Sequence, residues 1–152
     1  MTTDTHQFDL HRSLPVPPER LWQLLTDAKL REQWGAPSEG TVLTVITSDL
    51  RVGAEERHRC GPADAPEFEV TTRWYRLDAP HDAVFTETVH VAGETIATSL
   101  VTYRVSPEAG GARLSVTVAV SSFVGPEAGA EFHSGWEAGL NNLAALAARA
   151  PA

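Results

Sequence analysis

The chain has 152 residues, 42% hydrophobic and 21% charged, enough for one domain with a buried core. Its net charge of −8 excludes nucleic acid or an anionic membrane as the natural partner, because both select a basic surface. Cys60 is the only cysteine, so an intrachain disulfide is excluded and a reducing compartment fits best. Met1 to Gln7 is polar, without the apolar stretch of a signal peptide, and no apolar run approaches membrane-spanning length. A cytoplasmic protein is expected.

Phe8, Leu10 and Leu14 alternate with polar residues and predict a first strand, ended by Pro15, Pro17 and Pro18. Pro18 suits the first turn of a helix, where its missing N–H costs nothing, and Leu21, Trp22, Leu24 and Leu25 give that helix its apolar side. Asp27 can cap a second short helix that carries Leu30 and Trp34 at i, i+4, with Gly35 past its end. Thr41 to Ile46 reads as the second strand. From Ala54 to Phe123 the chain reads as antiparallel strands: Ala54 to Cys60, Glu67 to Leu77, Ala83 to Val91, Thr95 to Val105 and Ala112 to Ser122. The turns between them carry Gly61-Pro62, Ala79-Pro80, Ala92-Gly93 and Gly110-Gly111.

Pro126 precedes a long final helix in which Phe132, Trp136, Leu140, Leu143 and Ala147 share one stripe. Gly129, Gly135 and Gly139 lie in or near it, although each interior Gly costs about 1 kcal/mol relative to Ala. Missing side chains there imply a close approach, of a sheet or of a ligand. Ala150-Pro151-Ala152 reads as a frayed end. The element order implies an α+β architecture in which a curved antiparallel sheet of about six to seven strands wraps around the long helix. The two short helices then close the gap, and one domain spans the chain with its core over roughly 8–149.

Period-2 parity assigns side chains to faces. Leu114, Val116, Val118 and Val120 form one face of the last strand. Val101, Tyr103 and Val105 lie with Ala97 and Ser99, while Ile96 and Leu100 fall on the opposite face. Ala83, Phe85, Val89 and Val91 point inward with Glu87 among them, and Glu56, His58 and Cys60 oppose the solvated Glu55, Arg57 and Arg59. Arg12 shares the inward parity of Leu10 and Leu14. An interior carboxylate has to be paired, hydrogen-bonded or protonated, since burying a lone charge costs several kcal/mol. Two readings remain open: a bulge reverses one strand or Arg12 satisfies one of the acids, or a water-filled cavity is lined by acid, imidazole and Tyr103. No histidine or cysteine grouping has metal-ligand spacing, and no glycine motif for nucleotides or GxSxG elbow occurs, so neither a metal nor a cofactor is expected.

Four segments together carry a resemblance. They are Arg12 to Trp22, Leu30 to Trp34 with Gly35-Ala36-Pro37, Asp49 to Ala54, and Gly135-Trp136 with Leu140 and Leu143. In this order they resemble the family named after the C-terminal domain of the activator of heat-shock-protein-90 ATPase. It is part of the START/SRPBCC superfamily, which shares the helix-grip shape of the birch pollen allergen. The resemblance implies a cavity between sheet and long helix that holds a hydrophobic small molecule, but no particular reaction. Where relatives often carry apolar residues, this chain has Glu56, His58 and Glu87, which shifts the expected guest toward a polar, cationic or hydroxylated one.

Three functions follow as expectations. The first is a non-catalytic carrier or sequestering protein, with Arg12, Trp34, Phe85, Ser99, Tyr103, Val118, Phe132, His133 and Trp136 as the ligand-binding set. The second is a cyclase, dehydratase or isomerase of polyketide or related metabolism. There Glu56, His58 or Glu87 would do the acid–base work, and Tyr103 or Arg12 would stabilise an enolate oxygen. The third is a co-chaperone-like protein partner. A small-molecule ligand is the expected partner, with a homodimer left open.

Overall fold

The computed structural model describes residues 3–36 and 38–149. Pro37 of the motif and the Ala150-Pro151-Ala152 end lie outside them. In chain order the elements are β1 (Asp4–Leu14), α1 (Pro18–Thr26), α2 (Ala28–Trp34), β2 (Thr41–Thr47), β3 (Glu55–Pro62), β4 (Phe68–Asp78), β5 (Asp82–Val91), β6 (Glu94–Glu108), β7 (Gly111–Ser122) and α3 (Ala128–Ala147). β1 begins four residues before Phe8 because its ladder with β7 runs unbroken from Asp4↔Ser122 to Leu14↔Ala112. The seven strands form one antiparallel sheet in the order β1-β7-β6-β5-β4-β3-β2, curved around α3 in a helix-grip.

Local chemistry explains the punctuation. Pro18 opens α1, and the Asp27 side chain accepts the Leu30 N–H at 3.1 Å, a cap worth about 1 kcal/mol. The β5–β6 hairpin turns on Ala92 and Gly93, both at positive φ (51° and 81°), which matches the right-handed twist of the flanking strands. Leu14, Leu21, Leu24, Leu114, Leu140 and Leu143 form the centre of the core, where β1, β7, α1 and the second half of α3 meet. Each such side chain contributes roughly 1.5–3 kcal/mol through burial.

Parity holds along most of the sheet. Leu114 to Val120 of β7 and Val101 to Val105 of β6 are buried on alternate positions, and Leu100 faces solvent. Ile96 does not follow the parity reading. The β5–β6 register slips between Val89 and His90, so Ile96 becomes the extra residue of a bulge and turns toward the concave side.

Candidate functional site

The sheet's register assembles a polar row that no single strand reveals. Glu56 pairs across to Thr72, Thr72 to Glu87, and Glu87 to Ser99, so four inward polar side chains lie side by side on β3, β4, β5 and β6. Glu56 and Thr72 are 1% exposed and Ser99 is 3% exposed, in a largely apolar interior. Buried acids need partners, and the first comes from a helix. Arg31 of α2 places its guanidinium 2.6 Å from Glu56 Oε1, while the Asp49 N–H donates to Glu56 Oε2 at 2.8 Å. Arg31 also lies over the Trp74 ring at 5.9 Å. The α2 helix is pinned there by the Trp34 indole N–H on the Leu24 carbonyl (2.7 Å) and the Val45 N–H on Glu32 (2.8 Å).

Between this row and α3 lies a cavity of about 340 Å³, within the range of small-molecule sites. It opens between the strand ends and the start of α3, beside the exposed Val124 and Glu131. Its inner wall is aromatic. The Trp74, Phe85 and Tyr103 rings follow one another at 5.0 Å, and Trp136 of α3 stands 6.2 Å from Tyr103. Trp34, Phe68 and Phe132 complete the aromatic lining. The glycines of α3 divide between two causes. A Cβ on Gly129 would lie 2.3 Å from the His6 ring of β1, so that glycine admits the sheet, whereas Gly135 and Gly139 border the cavity.

Burial shifts His58, Cys60, Glu87 and Tyr103 in the wall toward their neutral forms. Burial lowers His58 from 6.5 to about 4, with the nearby Arg31 charge adding to the effect. The neighbouring acids do not reverse this, because Glu56 is committed to Arg31. Burial raises Glu87 from 4.5 to about 7 against the pull of Arg31, and raises the Cys60 thiol to about 11. The Tyr103 phenol is pushed well above its usual range by burial, with Glu87 adding to it. Among the described residues, no hydrogen bond or ion pair engages the side chains of Glu87, His58 or Tyr103.

Of the residues expected to bind a ligand, Trp34, Phe85, Tyr103, Phe132 and Trp136 line the cavity, as do His58 and Glu87. Glu56 lies behind Arg31 rather than in the wall. Ser99 and Val118 are buried in the sheet without reaching the cavity. His133 faces outward, its Nδ1 2.9 Å from Glu137 and its ring edge against Phe8. Arg12 is a correction. It donates to Asn141 Oδ1 (3.1 Å) and the His11 carbonyl, on a strand separated from Glu87 of β5 by two strands and from Glu56 of β3 by four. The cation that does so, Arg31, was missed. The available signal was its place three residues before Trp34, on the same face of α2.

Among the described residues no helix is long and apolar enough to cross a membrane, and no group of three His, Cys, Asp or Glu side chains is placed to hold a metal. Solved structures show the same fold. A Chromobacterium violaceum protein is 26% identical, with a TM-score of 0.84 over 95% of this chain and 98% of its own. A Rhizobium loti protein is 23% identical (TM-score 0.82, 95% and 99% covered), and the AHSA1 protein of Silicibacter pomeroyi is 25% identical (TM-score 0.75, 93% and 96% covered). No curated protein matches the chain. The family model described as "Activator of Hsp90 ATPase homolog 1-like protein" matches residues 15–148. This chain therefore belongs to the activator of Hsp90 ATPase homolog 1-like family, with the SRPBCC helix-grip fold.

Proposed function

We propose that the protein binds a small, partly hydrophobic molecule in the cavity between sheet and α3, as a carrier or sequestering protein. The supporting observation is the 340 Å³ space itself, walled by aromatic rings yet containing His58, Glu87 and Tyr103 with no partner among the described residues. Buried polar groups are normally satisfied, and a guest with polar atoms would satisfy these. The lone Cys60, a half-buried free thiol, suits a reducing compartment, and the cytoplasm is the proposed location.

The test is calorimetric titration with naphthalene derivatives, whose two fused rings fit the space. Wild type should bind them, and Gly135→Leu, which fills the cavity from α3 while improving helix propensity, should abolish binding without lowering stability. Equal binding by both proteins would place the guest elsewhere and end this reading.

One observation favours a second reading. A carboxyl at about 7 in an apolar pocket is poised to take a proton from carbon beside a carbonyl, the first step of cyclase, dehydratase or isomerase chemistry. Glu87 would be the base, and the Tyr103 hydroxyl would donate to the enolate oxygen. Deuterium exchange at the carbon acid of 2-tetralone distinguishes the two. An enzyme should accelerate it and lose about 100-fold in Glu87→Gln, while a carrier should leave exchange at the buffer rate.

A further inference from the structure

Arg31 and Glu87 are the two groups in the cavity wall able to choose a guest by charge, and their situations differ. Arg31 is engaged: one nitrogen meets Glu56 at 2.6 Å, so that acid balances its charge inside the fold, although its buried Nε has no hydrogen-bond partner. Glu87 sits in the middle of the concave face and is partly open to the cavity, with no hydrogen bond or ion pair among the described residues. The other titratable groups lining the space are His58 and Cys60 of β3 and Tyr103 of β6, neutral near pH 7, and Glu131 of α3, an acid at the mouth. The buried cluster of Arg31, Glu56 and Glu87 therefore carries one uncompensated negative charge whenever Glu87 ionises. Around it stand the rings of Trp34, Trp74, Phe85, Tyr103 and Trp136, and the face of such a ring attracts a cation.

We propose that the guest is an apolar amine, an aromatic or alicyclic body bearing one protonated nitrogen, whose ammonium pairs with Glu87 while the body lies among the rings. This rests on the cavity being the binding site, as proposed above, and adds the charge of the ligand. The acidic mouth at Glu131 and the overall charge of −8 act in the same direction, drawing a cation toward the opening. An anionic guest would face Glu87 and find only a cation whose charge Glu56 already balances.

Three probes of one shape and different charge test this: 2-naphthylmethylammonium, 2-naphthylmethanol and 2-naphthoate, each titrated into the intact protein by calorimetry. At about pH 8 the ammonium should bind at least about 10-fold tighter than the alcohol, with the naphthoate weakest. Lowering the pH to about 5.5, where Glu87 takes up its proton and the amine keeps its own, should remove most of that preference in unmodified protein. Glu87→Gln, close to the same shape, should bring the ammonium down to the alcohol's level at both pH values, with its fold checked by circular dichroism. Alcohol binding equal to the ammonium, or naphthoate binding tightest, would overturn the amine while leaving the cavity as the site. Failure of all three to bind would remove the cavity reading and the amine with it.

Discussion

Toward its C-terminal end α3 sets Leu140, Leu143 and Ala147 against β1 and β7, and nothing there is left open. Its first half sets Phe132, Gly135 and Trp136 beside a space large enough for a guest. One helix on one sheet thus makes both a dry core and a cavity. The difference lies in what the sheet offers opposite. Leucine and valine fill the β1–β7–β6 side, while Glu56, His58, Thr72 and Glu87 occupy the β3–β4–β5 side. Stability is concentrated at one end, and the capacity to hold a polar-tipped molecule at the other.

The sharpest way to break this division is to remove the cation that makes its polar side tolerable. Arg31→Met should cost about 3–5 kcal/mol in urea unfolding, because the buried Glu56 charge loses its cation and keeps only the Asp49 N–H. The double variant Arg31→Met/Glu56→Leu should recover most of that loss. If the single variant is neutral, the pair is not what stabilises the polar side. Next in size is truncation along α3. Leu140→Ala should lose about 2–5 kcal/mol by opening a void in a closed core. Phe132→Ala, which only widens an existing space, should lose less than about 2 kcal/mol. Equal losses in thermal or chemical melts would mean that the two ends are packed alike.

The smallest effect is the most specific, and it appears in the pH dependence of stability. Glu87, raised from 4.5 to about 7, favours the fold fully below about 4.5 and loses that contribution as pH rises through 7. His58, lowered from 6.5 to about 4, does the reverse: its contribution is full above 6.5 and lost as pH falls through 4. Wild type should therefore be nearly flat between about pH 4.5 and 6.5. Over that range Glu87→Gln should gain stability with rising pH and His58→Gln should lose it, each by up to about 1.4 kcal/mol per pH unit. Parallel slopes in the two variants would show that the groups do not titrate as opposed members of one buried site.

Much of the molecule is legible in the chain. Alternation placed Glu56, His58 and Glu87 on the inward face, because a strand's period of two needs no knowledge of its neighbours. Proline and glycine marked the turns for an equally local reason. Ile96 escaped, since a bulge depends on how two strands slip past each other. Arg12 was misassigned because parity tells which face a residue takes and nothing of which strand lies beside it.

The sequence by itself determined the elements, their order, the faces of most strands and the family, all of which rest on periodicity and short-range chemistry. Only the tertiary structure decided that Glu56, Thr72, Glu87 and Ser99 fall in one row. It alone brought Arg31 from a helix 25 residues away to Glu56 and left Glu87 facing open space. Register, helix docking and empty volume arise from contacts between distant segments, and no local pattern encodes them.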